Sequence, residues 1–77
     1  MRVVVSHDGP LYRAESWGFR GSCGLLHKPS GRYAVMTGAD ARRYRDATDT
    51  GLFEVGVYGD DLYGWLWTNA GFHRFTI

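Results

Sequence analysis

Apolar residues in this 77-residue chain fall into short runs separated by glycine, proline and aspartate, and the runs are densest in the last third. Residues 2–6 predict a first strand, because Val3, Val4 and Val5 are all β-branched. Asp8-Gly9-Pro10 then predicts a turn. Residues 11–19 predict a second strand with imperfect alternation: Leu11, Trp17 and Phe19 share a face with Arg13 and Glu15. Gly18, Gly21 and Gly24 recur at every third position, which predicts a bulge or an irregular loop. Residues 25–28 and 32–36 around Pro29-Ser30-Gly31 give the clearest hairpin pattern, with proline suited to the first central position of the turn and Gly31 to a left-handed one.

Residues 37–49 form the one helical pattern. Thr37 or Gly38 can cap it, Asp40 sits in the first turn, and Ala41, Tyr44 and Ala47 or Thr48 make a narrow apolar stripe. Gly51 is expected to end it. Residues 52–58 and 62–68 predict two further strands flanking the turn Gly59-Asp60-Asp61, and residues 72–77 a last one. In 62–68 the rings Tyr63, Trp65 and Trp67 alternate with Leu62, Gly64, Leu66 and Thr68. On a strand they share the heavier face, which is expected to be the buried one. The expected fold is therefore α+β in a single domain, residues 1–77. An antiparallel sheet of about 5–6 strands carries one short helix, about 38–48, on a face or across an end. A small SH3-like barrel is the alternative. The Gly64-Trp65-Leu66-Trp67 run before Asn69-Ala70-Gly71 resembles the paired-tryptophan and glycine strands of SH3 domains over about ten residues, without the acidic loop and flanking tyrosines of that family.

Size changes how the rings are read. A chain this short has a thin core, so most of its three Trp, five Tyr and four Phe are expected to be structural first. The single cysteine, Cys23, allows no internal disulfide. The N-terminus shows no signal-peptide pattern and no stretch suits a membrane span, so a reducing, cytoplasmic setting is expected.

Net charge is +1, which gives no bulk attraction to nucleic acid or to an acidic membrane. Within the chain, residues 1–36 carry five basic and two acidic side chains, and residues 37–77 four basic and six acidic. Arg42, Arg43 and Arg45 form the basic cluster, with Asp46, Asp49 and Asp40 at helical pairing distances. Asp60 and Asp61, with Asp46, Asp49 and Glu54, make the middle of the chain acidic and suited to docking on basic surfaces. Lys28 and Arg32 flank the hairpin tip.

Catalytic and metal patterns are weak. Ser6-His7-Asp8 holds the residue types of a hydrolase triad, but neighbours on a strand point to opposite sides. Cys23 and His27 have a metal-like spacing that a strand stretches to about 13 Å, and His7 and His73 lie in no paired spacing. The glycines match neither a dinucleotide fingerprint nor a phosphate loop. No cofactor, metal or catalytic residue is expected, and the chain is read as a non-enzyme.

In size, in its weak catalytic patterns and in its richness in Arg, Asp and Tyr, the chain resembles the small single-domain proteins with which phages block host machinery, anti-CRISPR proteins among them. This likeness of style rests on no motif and transfers no residue roles. It implies an inhibitor that occupies the surface of a host nucleic-acid-handling complex. The residues expected at the contact are Asp60, Asp61, Asp49, Arg42, Arg45, Lys28 and Arg32. Exchanging Asp60 and Asp61 for Lys is expected to weaken binding without unfolding the domain. Direct nucleic-acid binding through Lys28, Arg32 and the helix arginines is the alternative, as is a structural or oligomer-forming subunit, monomer or homodimer, pairing through its β-rich ends.

Overall fold

A computed structural model describes residues 3–17 and 21–77. Arg2, Gly18 and Phe19, which the predicted strands and glycine loop include, lie outside the described residues. The fold is α+β, an open four-stranded antiparallel sheet with two helices on one face. The strands β1 (Val3–Asp8), β2 (Tyr12–Trp17), β3 (Ser22–His27) and β4 (Arg32–Met36) follow one another in space as in sequence. The hairpin between β3 and β4 turns where expected: Gly31 has φ 73° and donates its N–H to the His27 carbonyl at 2.9 Å. Among the described residues β1 and β4 are not paired, so the barrel alternative is not the architecture found.

Period-two burial sets the inner face. Tyr12 and Ala14 of β2, Cys23 and Leu25 of β3, and Ala34 and Met36 of β4 are all buried. A register shift between Val5 and His7 gives β1 one extra residue, after which His7 pairs with Ala14 and joins that inner face. Gly24 is buried on the opposite face, where a side chain would run into the Tyr33 hydroxyl and the Trp17 ring.

The helix α1 (Gly38–Thr50) buries Ala41 and Tyr44, the stripe its spacing predicts. Gly51 does not stop it. Its φ of −61° continues the helix, which widens into a π turn (Gly51–Val55) and ends at Gly56, φ 82°. Glycine is required at 51 for space: a Cβ there would stand 2.5 Å from Leu62 Cδ1 and 3.2 Å from the Trp65 ring.

Three of the expected strands are helical instead. Residues 52–58 hold the end of the π turn and a short connection, residues 62–68 belong to a second helix α2 (Gly59–Thr68), and residues 72–77 open with a 3-10 turn (Phe72–Phe75). The physical reason is clearest in α2. Its run is so apolar that period two and period 3.6 both fit, and tertiary packing decides between them. Leu62, Leu66 and Trp67 form the buried stripe, at helical spacing, while Tyr63 and Trp65 are half-buried. The leucines therefore outrank the expected ring ladder. Asp60 and Asp61 in the first turn suit the positive end of the helix dipole. Of the last predicted strand only the end is extended. Thr76 bridges to Ala34, and the Ile77 N–H bonds the Tyr33 carbonyl at 3.0 Å along the outer edge of β4.

Candidate binding surface

The residue types that drew attention in the sequence are put to different uses. Ser6, His7 and Asp8 diverge: the Ser6 hydroxyl donates to the Ala14 carbonyl at 3.2 Å, His7 turns inward, and Asp8 accepts from Lys28 Nζ at 2.5 Å. His7 Nε2 lies 2.6 Å from Asp60 Oδ1, and its ring stacks on Tyr63 at 4.7 Å between centroids. The other carboxylate oxygen of Asp60 accepts the Leu11 N–H at 2.7 Å. Burial alone would raise the Asp60 carboxyl. The hydrogen bonds from His7 and from the Leu11 and Tyr12 amides outweigh it and hold the group below its ordinary value. Asp60 is thus a clamp between β1, the turn after it and α2. Asp61 is exposed beside it.

The basic residues divide in the same way. Lys28 is tied to Asp8, whose carboxyl that hydrogen bond and charge hold below its ordinary value. Arg32 donates to Thr76 Oγ1 at 3.0 Å, and its guanidinium lies 5.8 Å from the Trp67 ring centroid, within reach of a cation–π contact. Arg45 donates from Nη1 to the Gly21 carbonyl at 2.6 Å. Arg43 pairs with Asp40 at 3.3 Å. Among the described residues no ion pair joins Arg42 to Asp46 or Arg45 to Asp49, and Arg42 and Asp49 are exposed on α1. The seven expected contact residues therefore do not form one patch of uncommitted charge.

On the face away from the helices, a polar chain runs across the sheet. Lys28 holds Asp8, Arg13 lies between Asp8 at 3.6 Å and Glu15 at 3.2 Å, and the Tyr33 hydroxyl donates to Glu15 at 2.8 Å. Burial and the Glu15 hydrogen bond push the Tyr33 phenol up to about 12. On the helix side, His27 stacks on Trp67 at 5.3 Å and its Nδ1 meets Ser30 Oγ at 2.6 Å, while Cys23 donates to the Gly21 carbonyl at 3.3 Å. Burial pushes the Cys23 thiol up, against the opposing pull of Arg45. Among the described residues no three His, Cys, Asp or Glu side chains converge as metal ligands.

The feature the sequence reading missed is apolar and exposed. Phe53 is 82% exposed and Tyr58 77%, with Leu52 and Val55 also open to solvent, all within the π turn and the connection to α2. A helical count carried on from Ala41 and Tyr44 reaches Gly51, and Phe53, two residues on, falls on the opposite side. That count was the available signal. Asp49 and Glu54 share a shallow depression with Phe53, and Asp61 follows three residues after Tyr58. Among the described residues, no helix is long and apolar enough to cross a membrane. Comparison with protein-family models, curated proteins and solved structures finds no match for this chain.

Proposed function

We propose that this chain is a non-enzymatic binding protein that inhibits by occupying the surface of a protein partner, with the π turn and its connection to α2 as the contact. The observation that carries this reading is the exposure of two rings, Phe53 on the π turn whose Gly51 packs against α2 and Tyr58 on the connection that follows. Rings fixed on a rigid support are the usual anchors of protein interfaces, since they bury much area at little entropic cost. Asp49 and Glu54 beside Phe53, with Asp61 three residues after Tyr58, make this stretch acidic. An acidic stretch fits a basic surface of the kind a nucleic-acid-handling protein presents, and the host complexes that small phage inhibitors block, CRISPR-type assemblies among them, are the first candidates. The buried, unpaired Cys23 suits action in a reducing cytoplasm.

The test is capture of such a complex by wild type and by a Phe53→Ala/Tyr58→Ala double variant. The partner should bind wild type, be lost from the variant, and be displaced when its own nucleic acid is added. A partner held equally by both proteins would remove the π turn from the contact.

Direct nucleic-acid binding draws less support, because Lys28, Arg32 and Arg45 are engaged within the chain. Self-association has an observation of its own. Among the described residues β1 lacks a partner on its outer edge, and Val3, Val4 and Val5 are exposed along it. Sedimentation of wild type against Val4→Lys separates this reading from the first, since only pairing through β1 makes the sedimenting mass depend on residue 4.

A further inference from the structure

Among the described residues no strand lies on the outer edge of β1, and the first half of that edge carries none of the devices that keep edge strands apart. Val3, Val4 and Val5 bring no charge and no proline, and they are 54, 53 and 43% exposed. Side chains alternate between the faces of a strand, so both faces are apolar here: Val3 and Val5 lie on the side of their partners Trp17 and Glu15, and Val4 on the side of Ser16. The register shift between Val5 and His7 comes after the valines, and so does Asp8, whose carboxylate is already held by Lys28 and Arg13. The bulge therefore ends the usable edge instead of protecting it.

Backbone geometry restricts how two such edges can meet. In an antiparallel ladder each residue turns its N–H and C=O to the same side, and that side alternates along the strand. Two residues stand opposite each other only when both turn toward the partner strand or both turn away. When a strand meets its own copy, this condition places the two-fold axis through a residue and never between two residues. An axis through Val5 would set Val3 against His7 across the bulge, where His7 is already drawn to Asp60. An axis through Val3 would leave only Val3 opposite a valine. An axis through Val4 sets every valine against a valine: Val4 meets Val4, and Val3 meets Val5 on either side of it.

Resting on the reading of β1 as a self-association edge, we propose that its partner is a second copy of this chain, paired antiparallel with the two-fold axis through Val4. The triplet reads the same in both directions and is uncharged, so a copy meets it with no like charges opposite each other. The axis stands normal to the joined sheet, so the helices of both copies lie on one side of it. On the other side Val3 and Val5 of both copies form a cluster beside Trp17. So short a pairing covers far less than the roughly 1,200–2,000 Å² of a standard interface, and the dimer is accordingly a weak one that forms at high concentration.

Sedimentation of the full chain from about 10 μM to about 1 mM, beside Val4→Lys, reads whether β1 pairs at all, and cysteine cross-linking reads the register. Wild type should gain mass toward a dimer across that range, and Val4→Lys should remain a monomer. With diamide as oxidant, Val4→Cys should form a disulfide-linked dimer at least about tenfold faster than Val3→Cys or Val5→Cys alone. Opposed Cβ atoms stand about 4.5–5.5 Å apart, a small adjustment from disulfide geometry, whereas diagonal ones stand roughly 7–8 Å apart. Mixed together, Val3→Cys and Val5→Cys should link to each other. Wild type, whose Cys23 is buried, is the blank. A monomer at every concentration, or a dimer that Val4→Lys leaves intact, would overturn both the proposal and the reading of β1 beneath it. A dimer that Val4→Lys abolishes, but in which Val3→Cys links to itself fastest, would overturn the register alone.

Discussion

Asp60→Ala should be the most damaging change to any charged residue at the start of α2. Its carboxylate makes two short hydrogen bonds, to His7 at 2.6 Å and to the Leu11 N–H at 2.7 Å, from a side chain 18% exposed. A hydrogen bond to a charged group contributes about 1.5–3 kcal/mol when shielded from water. Partial exposure lowers both figures, so the pair is worth about 2–3 kcal/mol together. In a domain of this size that corresponds to a melting-temperature drop of roughly 10–20 °C. Thermal unfolding followed by tryptophan fluorescence reads it directly. Asp61→Ala, one residue on and exposed, should change stability by less than about 0.5 kcal/mol. The pH dependence has a defined sign. The folded Asp60 carboxyl lies below its ordinary value, so its contribution is present above that value and disappears as pH falls through the folded one. The Asp60→Ala variant should therefore lose its disadvantage in acid. Equal melting of Asp60→Ala and Asp61→Ala at neutral pH would refute the clamp. The same clamp makes Asp61→Lys alone, rather than the Asp60/Asp61 double exchange, the clean test of acidic steering.

Other predictions follow from packing and titration. Gly51→Ala should destabilise by about 1–3 kcal/mol in urea unfolding, because a Cβ there overlaps Leu62. Leu66→Ala should cost about 2–5 kcal/mol, since Leu66 is fully buried at the centre of the α2 stripe. The Phe53→Ala/Tyr58→Ala variant should melt within a few degrees of wild type, both rings being exposed. Tyr33 is raised on folding to about 12, so the stability it adds is complete below the ordinary phenol value and fades as pH climbs through about 12. Tyr33→Phe should flatten that alkaline loss in a pH series of melting curves.

The sheet and α1 were legible because their signals are local. Three valines in a row, a Pro-Ser-Gly turn and the spacing of Ala41 to Tyr44 each specify an element within a few residues. The second helix was not. Its residues satisfy two periods at once, and the choice depends on Leu62 meeting Gly51 and Leu66 entering a core built by distant strands. The site was less legible still. The partner of His7 is 53 residues away. Reading Gly51 as a stop, rather than as the point where α2 approaches α1, hid the turn that exposes Phe53.

The two margins of the sheet are unequal, and this decides which of them another strand could join. Thr76 and Ile77 lie along β4, where the Ile77 N–H takes the Tyr33 carbonyl, while among the described residues no strand lies on the outer edge of β1. Were two copies to join edge to edge, β1 against β1 across a two-fold axis would be the margin open to them, while the stretch of β4 beside Thr76 and Ile77 is already taken.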